Sequence, residues 1–141
     1  MDQRISLITL GVADVAASKA FYERLGWTAT LDLEDTVFFQ AGGMALGLWG
    51  RDELAADARI EDPGGWGGVT LSLNVRSARE VDTVLEQARD AGARISREPG
   101  PTDWGGYNAV FVDPDGHTWE IAHNPGFPLG SDGGLTIPSE S

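Results

Sequence analysis

The sequence predicts an α+β fold in which a βαβββ unit occurs twice, and three observations carry that prediction. Apolar and small or polar residues alternate over residues 5–12 and again over 69–75, the period of a half-buried strand. Each stretch is followed by a helix N-cap and an amphipathic segment that a glycine ends, first at Gly26 and then at Gly92. Each helix is followed by three short strand-like segments. Matching Val12 with Val75 sets the two copies about 63 residues apart.

In the first copy, residues 5–12 form the opening strand and Asp14 caps a helix over 15–25. Val15, Ser18, Phe21, Tyr22 and Leu25 recur at helical spacing and define its inner stripe. Strands are expected near 28–33, 36–40 and 44–49, the last two separated by the turn Gly42-Gly43. In the second copy, Val69, Leu71, Leu73 and Val75 form the apolar face of a strand, and Thr70, Ser72 and Asn74 the polar face. Ser77-Ala78-Arg79-Glu80 reads as a capping box, and Val81, Val84, Leu85 and Ala88 as the stripe of a helix that ends at Ala91-Gly92. Strands near 93–98, 107–112 and 118–122 follow, the last two joined by the turn Asp113-Pro114-Asp115-Gly116. One domain is therefore expected over residues 1–127, with module one at about 5–50, a linker at 51–68 and module two at about 69–123. Residues 128–141 are glycine- and proline-rich and read as an irregular tail.

Charge and composition remove several functional classes. With 22 acidic against 10 basic residues the formal net charge is −12, which repels a phosphate backbone and argues against nucleic-acid binding. Apolar runs are only a few residues long, far short of the roughly 20 that span a bilayer, so no membrane partner is expected. The first residues lack the basic-then-apolar pattern of a secretory signal, and there is no cysteine for a disulfide, a thiolate ligand or a nucleophile. Both features fit a cytoplasmic protein. Only two histidines are present, His117 and His123, too few for a three-histidine metal site in one chain.

Leu10-Gly11-Val12-Ala13-Asp14, with Ser18, Phe21-Tyr22 and Leu25-Gly26, resembles the first-module signature of the vicinal oxygen chelate proteins: glyoxalases, bleomycin-resistance proteins and extradiol dioxygenases. Asp113-Pro114-Asp115-Gly116-His117, followed by Trp119-Glu120-Ile121, is similar to the closing signature of the second module. The resemblance implies that each module curls a mixed sheet into half of a cup, with its helix outside and the site on the concave face. It also implies frequent pairing of chains, so a homodimer is expected. Ile8, Leu10 and Val12 would then face the helix and Leu7 and Thr9 the cup, and Thr70, Ser72 and Asn74 would line the cup in the second module.

Metal-using members of the family hold the ion with side chains on the first and last strand of each module. The matching positions here are Leu7, Gly47, Thr70 and Glu120. Of these only Glu120 is a good ligand, whereas a stable zinc or iron site takes about three or four protein ligands. His123 is displaced to the opposite face by strand alternation. No metal and no other cofactor is therefore expected, and that weakens the family's metal-dependent reactions as readings of this chain.

What lines the expected cup is aromatic and polar. Glu120 is the candidate general acid or base. Trp49 shares the parity of Gly47, while Trp66 and Trp104 sit in the glycine-rich loops Gly65-Trp66-Gly67-Gly68 and Asp103-Trp104-Gly105-Gly106, where they suit a cavity rim. Trp119 alternates with Glu120 and belongs to the core. Asp103, Tyr107 and Asn108 are expected near the same mouth, with Asn108, Val110 and Val112 facing the cup, and Phe127, Pro128 and Leu129 either cover it or grip a second protomer. The expected ligand set is thus Thr9, Trp49, Trp66, Thr70, Ser72, Trp104 and Asn108. The first functional reading is a small-molecule-binding protein of the bleomycin-resistance kind, whose acidic surface and tryptophans favour cations. The alternatives are a glyoxalase-type lyase or isomerase that moves a proton with Glu120, and a metal-dependent lyase or dioxygenase.

Overall fold

Two helices of this protein begin at a single capping side chain. A computed structural model describes residues 1–139, in two compact units that divide between Gly67 and Gly68. In the first unit, β1 (Leu7–Val12) leads into α1 (Val15–Arg24), whose first turn is capped by the Asp14 carboxylate accepting from the Ala17 N–H at 3.1 Å. The strands β2 (Leu31–Asp32), β3 (Thr36–Ala41) and β4 (Met44–Gly50) complete a sheet of order β1-β4-β3-β2, with β1 and β4 parallel and the remaining pairs antiparallel. Leu10, Val12, Val37, Phe39, Leu46 and Leu48 are buried and share one face, the face that receives Phe21 and Tyr22 of α1. Each such side chain contributes roughly 1.5–3 kcal/mol through removal from water.

Two expectations for this unit need correction. The strand expected at 28–33 is only Leu31–Asp32. Just before it the Thr30 N–H still donates to the Phe38 carbonyl at 2.8 Å, while the Trp27 ring packs inward, meeting Tyr22 at 5.9 Å and Phe39 at 5.6 Å. The linker expected at 51–68 begins with a helix, α2 (Arg51–Ala58). Asp52 and Glu53 in its first turn oppose the positive end of the helix dipole, and Leu54, Ala55 and Ala56 are strong helix formers.

In the second unit, β5 (Thr70–Asn74), β6 (Arg94–Pro101), β7 (Tyr107–Val112) and β8 (Thr118–His123) form a sheet of order β5-β8-β7-β6, the same topology as the first. The helix α3 (Ala78–Ala91) packs on one face of it and buries Val81, Leu85 and Ala88. Ser77 accepts from the Glu80 N–H at 3.1 Å, and the Glu80 carboxylate reaches back to the Arg76 N–H at 2.7 Å, one residue beyond the usual capping-box partner. Gly92 takes φ 101° to end the helix. Trp119 is 8% exposed and stacks on Phe111 with centroids 6.2 Å apart and planes 5° from parallel, so it belongs to the core on the helix side.

Val69 departs from the expected apolar face. It precedes β5, where no part of α3 covers it, and it is 62% exposed. Leu73, near the end of the same edge strand, is 44% exposed. The tail is tied down locally: the Arg76 guanidinium donates to the Leu129 and Gly130 carbonyls, and Leu129 and Leu135 form an isolated antiparallel bridge.

Candidate functional site

Register places the chemistry of the second unit on the sheet face away from α3. In the parallel pair β5–β8, Thr70 stands opposite Thr118 and Ser72 opposite Glu120. In the antiparallel pair β7–β8, Val112, Val110 and Asn108 stand opposite Thr118, Glu120 and Ala122. Opposed residues share a face. Ser72, Glu120 and Val110 thus form one cross-strand row, with Thr70, Thr118 and Val112 beside it.

Glu120 is half-buried and held at both oxygens. Its Oε1 accepts from the Ser72 hydroxyl at 3.0 Å, and its Oε2 from the Asn108 amide nitrogen at 2.8 Å. Asn108 is 4% exposed, and its own Oδ1 accepts from Arg97 Nη1 at 2.5 Å. An arginine only donates, so this contact fixes which end of the Asn108 amide faces Glu120. In the neighbouring row the Thr118 hydroxyl donates to the Val69 carbonyl at 3.0 Å, which leaves Thr70 to donate to Thr118 at 2.7 Å.

Arg97 was not visible as a site residue in the sequence. Strict alternation from Ile95, on the helix side, would send Arg97 to the helix side as well. The ladder of β6 and β7 instead skips a residue between Ile95 and Arg97: Ile95 pairs with Phe111, and Arg97 with Val110. This bulge at Ser96 turns Arg97 onto the face of Glu120. A second irregularity between Arg97 and Gly100 brings Gly100 opposite Asn108. The run Arg94-Ile95-Ser96-Arg97 carries no glycine or proline that would mark the bulge in advance.

Tyr107 corrects the expectation that it stands at the mouth. It opposes His123 on the helix side and donates to Asp82 of α3 at 2.8 Å. That hydrogen bond, with desolvation and the Asp82 charge behind it, raises the tyrosine hydroxyl pKa above its ordinary value of 10.0. His123 also stays on the helix side, its Nδ1 lying 3.3 Å from the Val75 carbonyl. Trp104 is 51% exposed, and its ring lies against Gly106, where an added Cβ would collide with the ring and approach the His123 carbonyl to 2.6 Å.

In the first unit, Leu7, Thr9, Gly47 and Trp49 lie on the face away from α1. Thr9, Gly47 and Phe38 stand in one row, and a Cβ at Gly47 would be 3.3 Å from Phe38 Cε1 and 3.4 Å from Thr9 Oγ1. The Phe38 ring thus crowds the space that a ligating side chain at position 47 would use. Trp49 is half-buried in the next row, opposite Thr36, and Trp66 is 57% exposed in the glycine-rich segment before the unit boundary.

A family-type metal does not fit these residues. Leu7 and Gly47 supply no donor and the Thr70 hydroxyl is engaged with Thr118, so Glu120 is the one strong ligand of the four positions, short of the roughly three or four that a stable site takes. Among the described residues no cluster of three or more His, Cys, Asp or Glu side chains could hold an ion.

Both units repeat one topology, and the comparisons agree with it. A model of the Glyoxalase/Bleomycin resistance protein/Dioxygenase superfamily matches residues 4–121. The chain belongs to this superfamily. The fold is shared with the crystal structure of a glyoxalase-related enzyme from Fulvimarina pelagi, 36% identical over 97% of this chain and 99% of that one, with a TM-score of 0.91. The chain is also similar to a bleomycin resistance protein of Klebsiella pneumoniae, 27% identical over 113 residues that cover 79% of this chain and 85% of that protein. A lactoylglutathione lyase of Arabidopsis thaliana is 44% identical over 46 residues, 32% of this chain, so the match spans only 16% of the lyase. Among the described residues no helix of this superfamily member is long and apolar enough to cross a membrane.

Proposed function

We propose that this protein binds a small organic molecule against the β7–β8 face of its second unit, anchored by Glu120, without the metal that many members of the superfamily use. The observation that carries this reading is the Ser72–Glu120–Asn108 arrangement. A half-buried carboxylate on the sheet face away from α3 is fixed by two neutral donors and keeps acceptor capacity for a ligand, since a carboxylate offers about four lone-pair sites. Thr70 adds a hydroxyl to the same face. Trp104 remains a further ligand contact within the second unit, and Thr9, Trp49 and Trp66 are proposed separately as ligand contacts of the first unit. The similarity to a bleomycin resistance protein and the acidic composition both favour a cationic or donor-rich ligand. A homodimer in the cytoplasm belongs to the same proposal. The exposed Leu7 on edge strand β1, and Val69 and Leu73 at β5, are apolar surface that association would cover.

Bleomycin is the first probe. Saturable quenching of tryptophan fluorescence that weakens at least about tenfold in Glu120→Gln, the loss of one charged hydrogen bond, supports the reading. Equal affinity in wild type and variant removes Glu120 from the site. A second reading, a glyoxalase-type lyase or isomerase, has one observation in its favour: the fixed amide and hydroxyl aim Glu120 as a hydrogen-bond acceptor, the orientation a general base needs. Isomerisation of a hemithioacetal that persists in chelator and disappears in Glu120→Gln would select it.

A further inference from the structure

Arg97 has more binding capacity than the protein uses. Its Nη1 donates to Asn108, and among the described residues the guanidinium makes no other hydrogen bond and meets no carboxylate within ion-pair distance. In a chain with 22 acidic side chains, most of the other arginines that form contacts reach a carboxylate: Arg4 reaches Asp2, Arg51 reaches Asp62, and Arg89 reaches Glu86 and Glu98. Arg97 is exposed, and the bulge at Ser96 has turned it onto the ligand face. Arg94, opposite Val112, brings a second cation to the same face and is likewise without a carboxylate partner among the described residues.

Arg97 and Glu120 flank Val110 in one cross-strand row, two strands apart. The gap between their functional ends is spanned by a single amide. Asn108 accepts from Arg97 with its oxygen and donates to Glu120 with its nitrogen. A ligand lying beside that amide meets the same pair: a donor fork at one end and a carboxylate at the other. Its acceptor and donor must be spaced nearly as in an amide, and charge complementarity favours an anionic acceptor and a cationic donor. An α-amino acid head group has both properties. Longer ω-amino acids set the two charges too far apart.

We infer that the β6–β7–β8 face of the second unit reads the head group of an α-amino acid, with Arg97 taking the carboxylate, Glu120 taking the ammonium and Val110 lying beneath the ligand. This inference rests on the ligand-binding reading above and names the ligand class for it. The group read is the zwitterion itself, so masking either end weakens binding.

The test uses the full chain, ¹⁵N-labelled, titrated with L-leucine, N-acetyl-L-leucine and L-leucine methyl ester. Leucine is expected to shift the amides around Arg97, Asn108, Val110 and Glu120. Each masked compound is expected to bind about tenfold more weakly, the loss of one charge-assisted contact. Arg97→Gln should abolish the preference for leucine over its methyl ester and keep the preference over N-acetyl-leucine. Glu120→Gln should do the reverse. Thermal melts of both variants check the fold, and Arg97→Lys, which keeps the charge, should recover part of the ester discrimination. If bleomycin binds at Glu120 but leucine and its masked forms bind alike, the head-group inference falls and the ligand site stands. If none of these compounds shifts β6–β8, both fall.

Discussion

Trp119→Ala and Trp104→Ala are a matched pair that separates core from rim. Trp119 is 8% exposed, stacked on Phe111 in direct register, on the sheet face that α3 covers. A buried tryptophan removes about 150–250 Å² from water, which at ~25 cal/mol per Å² corresponds to about 4–6 kcal/mol. That overlaps the range of about 3–5 kcal/mol found for truncating large core aromatics, with partial collapse of the cavity lowering the figure. Trp104 is 51% exposed and rests on Gly106, so the same reasoning gives about 2–3 kcal/mol for its removal. Urea unfolding followed by far-ultraviolet circular dichroism measures both changes without relying on tryptophan emission. In the ligand assay the order should invert: Trp104→Ala should weaken binding by about 1–3 kcal/mol, the range for a well-packed aromatic contact, while folded Trp119→Ala protein binds nearly as wild type. A Trp119→Ala loss below about 1 kcal/mol would refute the core assignment. So would a Trp104→Ala loss as large as that of Trp119→Ala.

Other perturbations test other parts of the structure. Asp62 is held at a pKa of about 2, below its ordinary 3.8, by the Arg51 guanidinium and the Gly64 N–H. Its contribution to stability is therefore present above pH 4 or so and is lost as pH falls toward 2, and an NMR titration of its carboxyl in wild type and Arg51→Gln should show the pKa return upward. The Ser18 hydroxyl is buried with no hydrogen-bond partner among the described residues, so Ser18→Ala should stabilise the protein by about 1 kcal/mol in chemical denaturation; destabilisation would reveal a bond to that hydroxyl. Purified protein should carry less than stoichiometric transition metal, and a chelator should leave its melting temperature unchanged; an ion that raises stability by several kcal/mol on addition would contradict the donor-set argument. Sedimentation at micromolar concentration should show a species of twice the 15.0 kDa chain, and a 15.0 kDa species alone would remove the homodimer.

The opening helices and their strands were legible because their determinants are local. Asp14 and Ser77 cap helices by contacts only three residues long, and alternation alone separates Leu10 and Val12, which face α1, and Thr70 and Ser72, which lie on the sheet face away from α3. The same parity separated Glu120 from Trp119 and His123. The helix α2 had a signal, Asp52-Glu53 ahead of Leu54-Ala55-Ala56, hidden by the glycine-rich run that follows it.

By itself, then, the sequence determined the doubled βαβββ order, the superfamily, the parity of Glu120 and the poverty of metal donors at Leu7, Gly47 and Thr70. All of these follow from residue identity and short-range period. Only the tertiary structure decided that Tyr107 is committed to Asp82, that the Phe38 ring crowds Gly47, and that Asn108 connects Arg97 to Glu120. Those depend on which residue of one strand stands opposite which residue of the next. A single extra residue in the β6–β7 ladder reverses the face of Arg97, and that register is set by cross-strand packing over β6, β7 and α3 that no window along the chain contains.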